Sequence, residues 1–277
     1  MDLYRTNSEP TKSELLAQEI SLLIPTNIRY ISNDMMFYGD YISTREKLDY
    51  TYHKNYCESR QHVQDNIVYN FLEDKHIIKD DKPWIIYMAG LMGAGKGITL
   101  KWLIDCDKLP PNIKNAIRID PDDLRMYLPE HSLLQTNKYT KDVYSSITHK
   151  EVCYISEIIK YEALKRNASI IIDGTCKDHN YIKHTFDEIR NIYSNYKIAI
   201  INVITQEHIA IERSLLRGSS TSRTVPIETI KKASLLIPIS IEKLRPYVDF
   251  IVSFNNDECQ PTLLDVSWDT LYQVWNL

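Results

Sequence analysis

Trp84-Ile85-Ile86-Tyr87-Met88-Ala89-Gly90-Leu91-Met92-Gly93-Ala94-Gly95-Lys96-Gly97 is the stretch on which the fold of this chain turns. An apolar, β-prone run enters a glycine-rich loop that ends in lysine, and a helical pattern follows at Ile98, Leu100, Trp102 and Leu103. Four of the seven glycines in the 277-residue chain lie between Gly90 and Gly97. Glycine weakens strands and helices, so this concentration marks a backbone that needs positive φ or close approach to a ligand. The spacing Gly90-x4-Gly95-Lys96 matches the phosphate-binding loop G-x-x-x-x-G-K-[ST], in the strand–loop–helix context that loop requires.

Outward from the loop, further apolar strands alternate with helical patterns. Ala116–Ile119 leads into Asp120-Pro121-Asp122-Asp123-Leu124-Arg125. Thr148 with Glu151 reads as a capping box for a helix over 148–166. Ser169–Ile172 leads into Asp173-Gly174-Thr175, and a helix with Tyr181, Phe186 and Ile189 follows. Lys197–Ile204 and Phe250–Phe254 are further strands; His208–Leu216 is helical, Arg217–Arg223 a loop, and another helix starts near Ile227. Strands apolar throughout and alternating with helices indicate a parallel sheet covered on both faces. The predicted class is α/β, a P-loop kinase-like three-layer sandwich with a mostly parallel sheet and an N-terminal helical extension. The predicted domains are the extension, 1–80, and the kinase-like domain, 81–277. In the extension, Thr11–Glu14 caps a helix with Leu15, Leu16, Ile20 and Leu23 that stops at Pro25, and Thr44 caps a long helical stretch carrying Leu48, Tyr52, Tyr56, Val63, Ile67 and Phe71. His53, His62 and His76 lack metal-like spacing and read as surface or packing residues.

Composition excludes some classes. A net charge of −4 gives no global basic field for nucleic acid. No apolar run approaches the ~20 residues that span a bilayer. The start Met1-Asp2-Leu3-Tyr4-Arg5 has no secretory apolar segment, and five scattered cysteines without a C-x-x-C pair read as free thiols. A cytoplasmic location is expected.

Ligands of parallel sheets sit beyond the carboxyl ends of the strands. The loop, the Asp120/Asp122 pair and Asp173-Gly174-Thr175 each follow a strand, so they share one crevice if those strands are neighbours. Main-chain amides from Gly90 through Met92, Gly93, Ala94, Gly95, Lys96, Gly97 and Ile98 would cradle the phosphates of ATP, with Lys96 reaching the β/γ-phosphates. Asp122 is the candidate base for an attacking hydroxyl, with Asp120 the alternative base or a water-mediated metal partner. Asp173 would orient Mg²⁺, and Thr175 would bind substrate or metal-bound water. Gly97 stands where Ser or Thr normally binds the metal, and Thr99 is the nearest hydroxyl downstream. Arg213, Arg217 and Arg223 flank a Gly/Ser/Thr-rich loop and could close over transferring phosphates.

Gly-Leu-Met-Gly-Ala-Gly-Lys-Gly (90–97), Ile-Asp-Pro-Asp-Asp-Leu-Arg (119–125), Leu-Pro-Glu (128–130), Thr-His-Lys-Glu (148–151), Ile-Ile-Asp-Gly-Thr (171–175) and Ser-Arg-Thr-Val-Pro (222–226) occur in this order. In order and spacing the chain resembles the eukaryotic-type members of the zeta-toxin family of P-loop kinases over about residues 83–256, including the tail at 236–250. The resemblance implies ATP-dependent phosphorylation of a hydroxyl, which in the bacterial toxins belongs to UDP-N-acetylglucosamine, with Mg²⁺. It implies Lys96 as loop lysine and Asp122 as base. Asp120, Arg125, Glu157, Asp173 and Thr175 would stand on the substrate side, Asp173 and Thr99 would serve the metal, and Arg213 and Arg223 would bind phosphate, with Arg217 beside ATP. It also allows an inhibitory protein partner. Two departures are Gly97 and Asp173, which stands where bacterial toxins often carry Glu. Alternative readings are a polynucleotide or nucleoside kinase, which the acidic balance disfavours, and a non-catalytic nucleotide-binding module.

Overall fold

The computed structural model describes residues 20–73, 79, 81–140, 143–221, 225–258 and 260–275. Strand β1 (Trp84–Ala89) is buried along its whole length, as its unbroken apolar sequence requires. It lies inside a six-stranded sheet of order β2-β3-β1-β4-β5-β6. The other strands are β2 (Ile117–Ile119), β3 (Ile170–Asp173), β4 (Lys197–Ile204), β5 (Phe250–Asn255) and β6 (Thr262–Leu263). The first five pair in parallel, and β6 adds an antiparallel edge. Met88 stands opposite Asp173, and Ile172 opposite Ile119, so β1, β3 and β2 finish together at one edge of the sheet. That register makes the three loops expected to share a crevice start side by side.

Helices surround the sheet: α1 (Glu58–Glu73), α2 (Lys96–Asp105), α3 (Pro121–Leu124), α4 (Tyr144–Lys165), α5 (His179–Ile192), α6 (Glu207–Thr221), α7 (Ile227–Leu244) and α8 (Trp268–Trp275). One apolar core joins the strands to Ile67, Val68, Phe71 and Leu72 of α1 and to Tyr41, Leu48 and Tyr56 before it. No helix among the described residues is long and apolar enough to cross a membrane.

Several local expectations change. The long helix after Thr44 is broken: Ile42–Arg45 forms one turn, and α1 begins only at Glu58. Between them, the Asp49 carboxylate accepts from the Thr51 amide and hydroxyl at 2.9 and 2.6 Å, a local alternative to helical pairing. Tyr56 pairs with Ile31 in an isolated antiparallel bridge. The Thr148/Glu151 capping box is not a cap, because α4 starts earlier, at Tyr144, and both residues are buried inside it with side-chain partners elsewhere. The loop expected from Arg217 is helical, since α6 continues to Thr221. The helix capped by Thr11–Glu14 falls outside the described residues except for its end at Ile20–Leu22, as do His76 and Arg223. Helix α8 has no counterpart in the sequence pattern; it seals the sheet with Trp275 edge-on to Trp84, ring centroids 4.9 Å apart.

Candidate active site

The turn from β1 into α2 is built by glycines at positive φ: Gly90 at 142°, Gly93 at 91° and Gly95 at 81°. None has room for a side chain. A Cβ would lie 2.4 Å from the Val203 carbonyl oxygen at Gly90, 2.0 Å from that of Ala210 at Gly93, and 2.2 Å from Asn256 Nδ2 at Gly95. The loop is pinned from outside as well: Asn256 Nδ2 and Thr205 Oγ1 donate to the Ala94 carbonyl at 2.7 and 3.2 Å. Ala94 is buried, Met92 is half-buried, and Ile98 is exposed in the first turn of α2. A positive-φ loop running into a helix N-terminus turns consecutive amides toward an anion.

Lys96 folds back over this loop, its Nζ donating to the carbonyls of Gly90 and Leu91 at 3.3 and 3.2 Å and standing 3.8 Å from Asp173 Oδ1. Burial pushes its ammonium below the ordinary lysine value; Asp173, Cys176 and Asp120 oppose that shift, and Arg217 adds to it. The Asp173 carboxyl is pushed up, by burial first and by Asp120 and Asp123, against Lys96 and Arg118. Arg118, on β2, bridges the acids: its Nη2 lies 3.6 Å from Asp173 Oδ2 and 3.7 Å from Asp120 Oδ2. Asp120 caps α3 by accepting from the Asp122 amide at 2.9 Å. Lys96, Arg118, Asp120, Asp173 and Arg217 thus form one charged centre at the mouth of the phosphate loop.

This centre does not fit a resident divalent cation. Gly97 offers no hydroxyl. The Thr99 hydroxyl is fully buried, with no solvent access. The guanidinium of Arg118 fills the space beside Gly97, where a Cβ would lie 3.1 Å from its Nη2. No group of three or more His, Cys, Asp or Glu suited to a metal occurs among the described residues. Chemistry at this site is therefore derived from the chain's own side chains.

On the other side of α3, the Asp122 carboxylate is held by Arg125 Nη1. Arg125 is itself buried, with its Nε donating to Thr148 Oγ1 at 2.7 Å and its Nη2 to the Ser145 carbonyl at 3.4 Å. Further along α4, the His149 imidazole is held below the ordinary histidine value by burial and by Arg125, Lys150 and Lys177 around it. Glu157 faces His53 Nε2 at 2.5 Å, the Tyr181 hydroxyl at 2.9 Å and Lys160 Nζ at 3.6 Å. Burial alone would raise its pKa, but these partners, His53 foremost, bring it down to about 2.

Two expected residues lie against the phosphate loop, where a Cβ at Gly95 would come 4.0 Å from Arg213 Nη1. Arg213 donates from Nη1 to the Asn256 carbonyl at 2.6 Å and from Nη2 to that of Asp257 at 2.9 Å, which fixes the loop after β5 against the phosphate loop. Thr175 reaches the loop through its main chain, its carbonyl accepting from the Gly90 amide at 3.4 Å.

The family model described as Zeta toxin matches residues 69–259. The chain belongs to the zeta toxin family. No curated protein sequence matches it. Among solved structures it is similar to one from the PezAT chromosomal toxin-antitoxin system of Streptococcus pneumoniae, at 17% identity and TM-score 0.59, covering 80% of this chain and 88% of that one. It is also similar to the AvrRxo1-ORF1:AvrRxo1-ORF2 complex with sulphate ions, at 12% identity and TM-score 0.62, covering 91% and 81%. The same complex with ATP gives 12% identity and TM-score 0.60 over the same coverage. These likenesses bear on the fold, and zeta toxin membership supports a nucleotide-binding phosphotransferase.

Sequence reasoning misses two residues in this zeta toxin site. Arg118 reads as one member of an apolar strand, although a charged residue in a run such as Ala-Ile-Arg-Ile-Asp is itself a signal. His53 reads as a surface or packing histidine, and it is buried, but against a carboxylate of α4; its position 104 residues from Glu157 in sequence leaves no local trace.

Proposed function

We propose that this chain is an ATP-dependent kinase that transfers the γ-phosphoryl group to a hydroxyl of a small substrate. The observation that carries this reading is the convergence of the strained amide loop, Lys96 and the Asp120/Asp122 segment at adjacent ends of three parallel strands. In the reaction proposed, the substrate oxygen forms a bond to the γ-phosphorus while the bond from that phosphorus to the β–γ bridging oxygen breaks, and ADP leaves. The proton of the attacking hydroxyl passes to Asp122, whose carboxylate Arg125 orients. Lys96, the loop amides and Arg217 counter the charge on the phosphates, which is most of what phosphoryl transfer asks of a protein. Arg223 is assigned with them from the sequence pattern alone, and Arg213 acts by holding the β5 loop on the phosphate loop.

The acceptor side is the α4–α5 wall beyond Asp122, with Arg125, His149, Lys150, Lys177 and Tyr181. Lys150 and Lys177 on this wall favour an anionic small molecule, consistent with a UDP-N-acetyl sugar. We read residues 1–80 as an extension preceding a kinase domain over 81–277, with its described part from residue 20 on packed against that domain, and an inhibitory protein partner as consistent with the toxin–antitoxin setting of the pneumococcal relative. The test is to incubate the protein with γ-labelled ATP and a metabolite extract and to identify the labelled product by mass. Lys96→Met and Asp122→Asn are expected to stay folded and lose transfer. Undiminished transfer by either variant would refute the role assigned to that residue.

A further inference from the structure

Arg118 is placed and equipped in a way that the catalytic reading above does not use. Its Nη2 sits where a side chain at position 97 would project, 3.1 Å from the Cβ that Gly97 lacks. It faces one oxygen of Asp173 at 3.6 Å, while Lys96 faces the other at 3.8 Å. Both ion contacts of Arg118 are longer than a hydrogen bond, 3.6 and 3.7 Å. Its Nε is buried and has no hydrogen-bond partner among the described residues. A guanidinium carries five donors in a planar fork suited to phosphate. Among the described residues the fork is held at the mouth of the amide loop by its ion contacts with Asp173 and Asp120, with its side chain 37% exposed.

A buried donor without a partner is costly, and the cost is relieved when a ligand accepts from it. An anion seated in the loop would lie between Lys96 and Arg118, and both cations could turn from Asp173 onto it. Glycine at position 97 leaves the guanidinium its place: a Cβ there would crowd Nη2 at 3.1 Å, and a longer side chain would compete with it for the mouth of the loop.

We propose that Arg118 is a phosphate-binding residue for the nucleotide, standing at the place where the loop hydroxyl would otherwise recruit a metal, so that nucleotide binding depends on Arg118 more than on a divalent cation. This rests on the nucleotide-binding reading above. It assigns the missing hydroxyl at Gly97 a structural counterpart on β2 and predicts an unusual insensitivity to chelation.

Isothermal titration of the full chain with ATP, in excess EDTA and again in MgCl₂, tests it. Wild type is expected to bind with a Kd that differs by less than about threefold between the two buffers. Arg118→Met is expected to weaken binding in EDTA by about tenfold or more, the usual worth of one charge-assisted contact, and to regain part of the loss in Mg²⁺. Arg118→Lys, which keeps the charge and loses the fork, should fall between them. Thermal unfolding of each variant separates lost folding from lost contact, since a merely structural arginine would not alter the response to metal. Arg118→Met binding ATP in EDTA as tightly as wild type overturns the proposal. So does wild-type binding that collapses on chelation. Absence of ATP binding by wild type in both buffers overturns the kinase reading as well, which distinguishes the two failures.

Discussion

Replacing Arg60 by methionine should be among the most damaging single changes outside the cleft. The guanidinium donates from Nε and Nη2 to Glu151 at 2.6 and 2.8 Å, and from Nη1 and Nη2 to Glu130 at 2.8 and 3.0 Å. Side-chain exposure is 4% for Arg60, 0% for Glu151 and 11% for Glu130, so water cannot replace what is removed. Among the described residues, Gln64 Nε2, at 2.8 Å, would still donate to Glu151. Leaving one member of a buried pair uncompensated costs about 3–5 kcal/mol. For a chain of this length that corresponds to a fall in Tm of roughly 6–10 °C. Urea unfolding followed by tryptophan emission measures it directly. The double variant Arg60→Met/Glu151→Met should recover only part of the loss, because it removes the uncompensated Glu151 charge but still leaves Glu130 without its guanidinium and Gln64 without its acceptor. A loss below about 1 kcal/mol, typical of solvent-exposed pairs, would refute the reasoning, as would a double variant less stable than either single one.

Acid should weaken the fold through Glu157. Its pKa drops from 4.5 to about 2 on folding, so its contribution is fully present above the unfolded value and is lost as pH falls from about 4.5 toward 2. The shift corresponds to roughly 3 kcal/mol, and His53→Ala should both lower stability at pH 7 and flatten its dependence between pH 5 and 3, read as urea midpoints. An unchanged profile would mean that His53 does not hold the carboxylate. Gly93→Ala places a methyl 2.0 Å from the Ala210 carbonyl oxygen at a φ of 91°. It should cost about 1–3 kcal/mol in strain and abolish ATP binding, checked by thermal unfolding and calorimetric titration; retained affinity would mean that the loop reshapes freely.

The fold is legible where signals are local. The apolar run into Gly90 marks β1, the phosphate loop and α2, and the apolar stretches around Ile119, Ile172 and Ile201 supply parallel neighbours. The candidate residues Asp120 and Asp173 meet because each lies at or just beyond the end of a strand, and strand ends can be found from pattern alone; Lys96 joins them because the glycine loop returns it over the end of β1. What escapes depends on partners distant in sequence. Thr148 and Glu151 carry the letters of a cap, yet their side chains serve Arg125 and Arg60, and nothing near them in sequence says so. Asp49 stops a helix whose apolar spacing continues through it, because a carboxylate turned to its own backbone overrides periodicity. Gly218 and the serines after it suggest a loop, whereas α6 carries them to Thr221. Tertiary context outweighs propensity there.

The indoles offer a practical consequence. The four tryptophans of the chain fall into two couples, Trp84 with Trp275 at 4.9 Å and Trp102 with Trp268 at 5.9 Å. None belongs to the charged centre, and Trp102 lies six residues, or about 9 Å, along α2 from Lys96. Their light therefore reports the integrity of the whole hydrophobic layer and stays nearly blind to what occupies the mouth of the loop. Filling the cleft should leave the spectrum almost unmoved while unfolding shifts it strongly. A clear change on adding ATP would then be the optical signature of strain carried down α2 into the sheet.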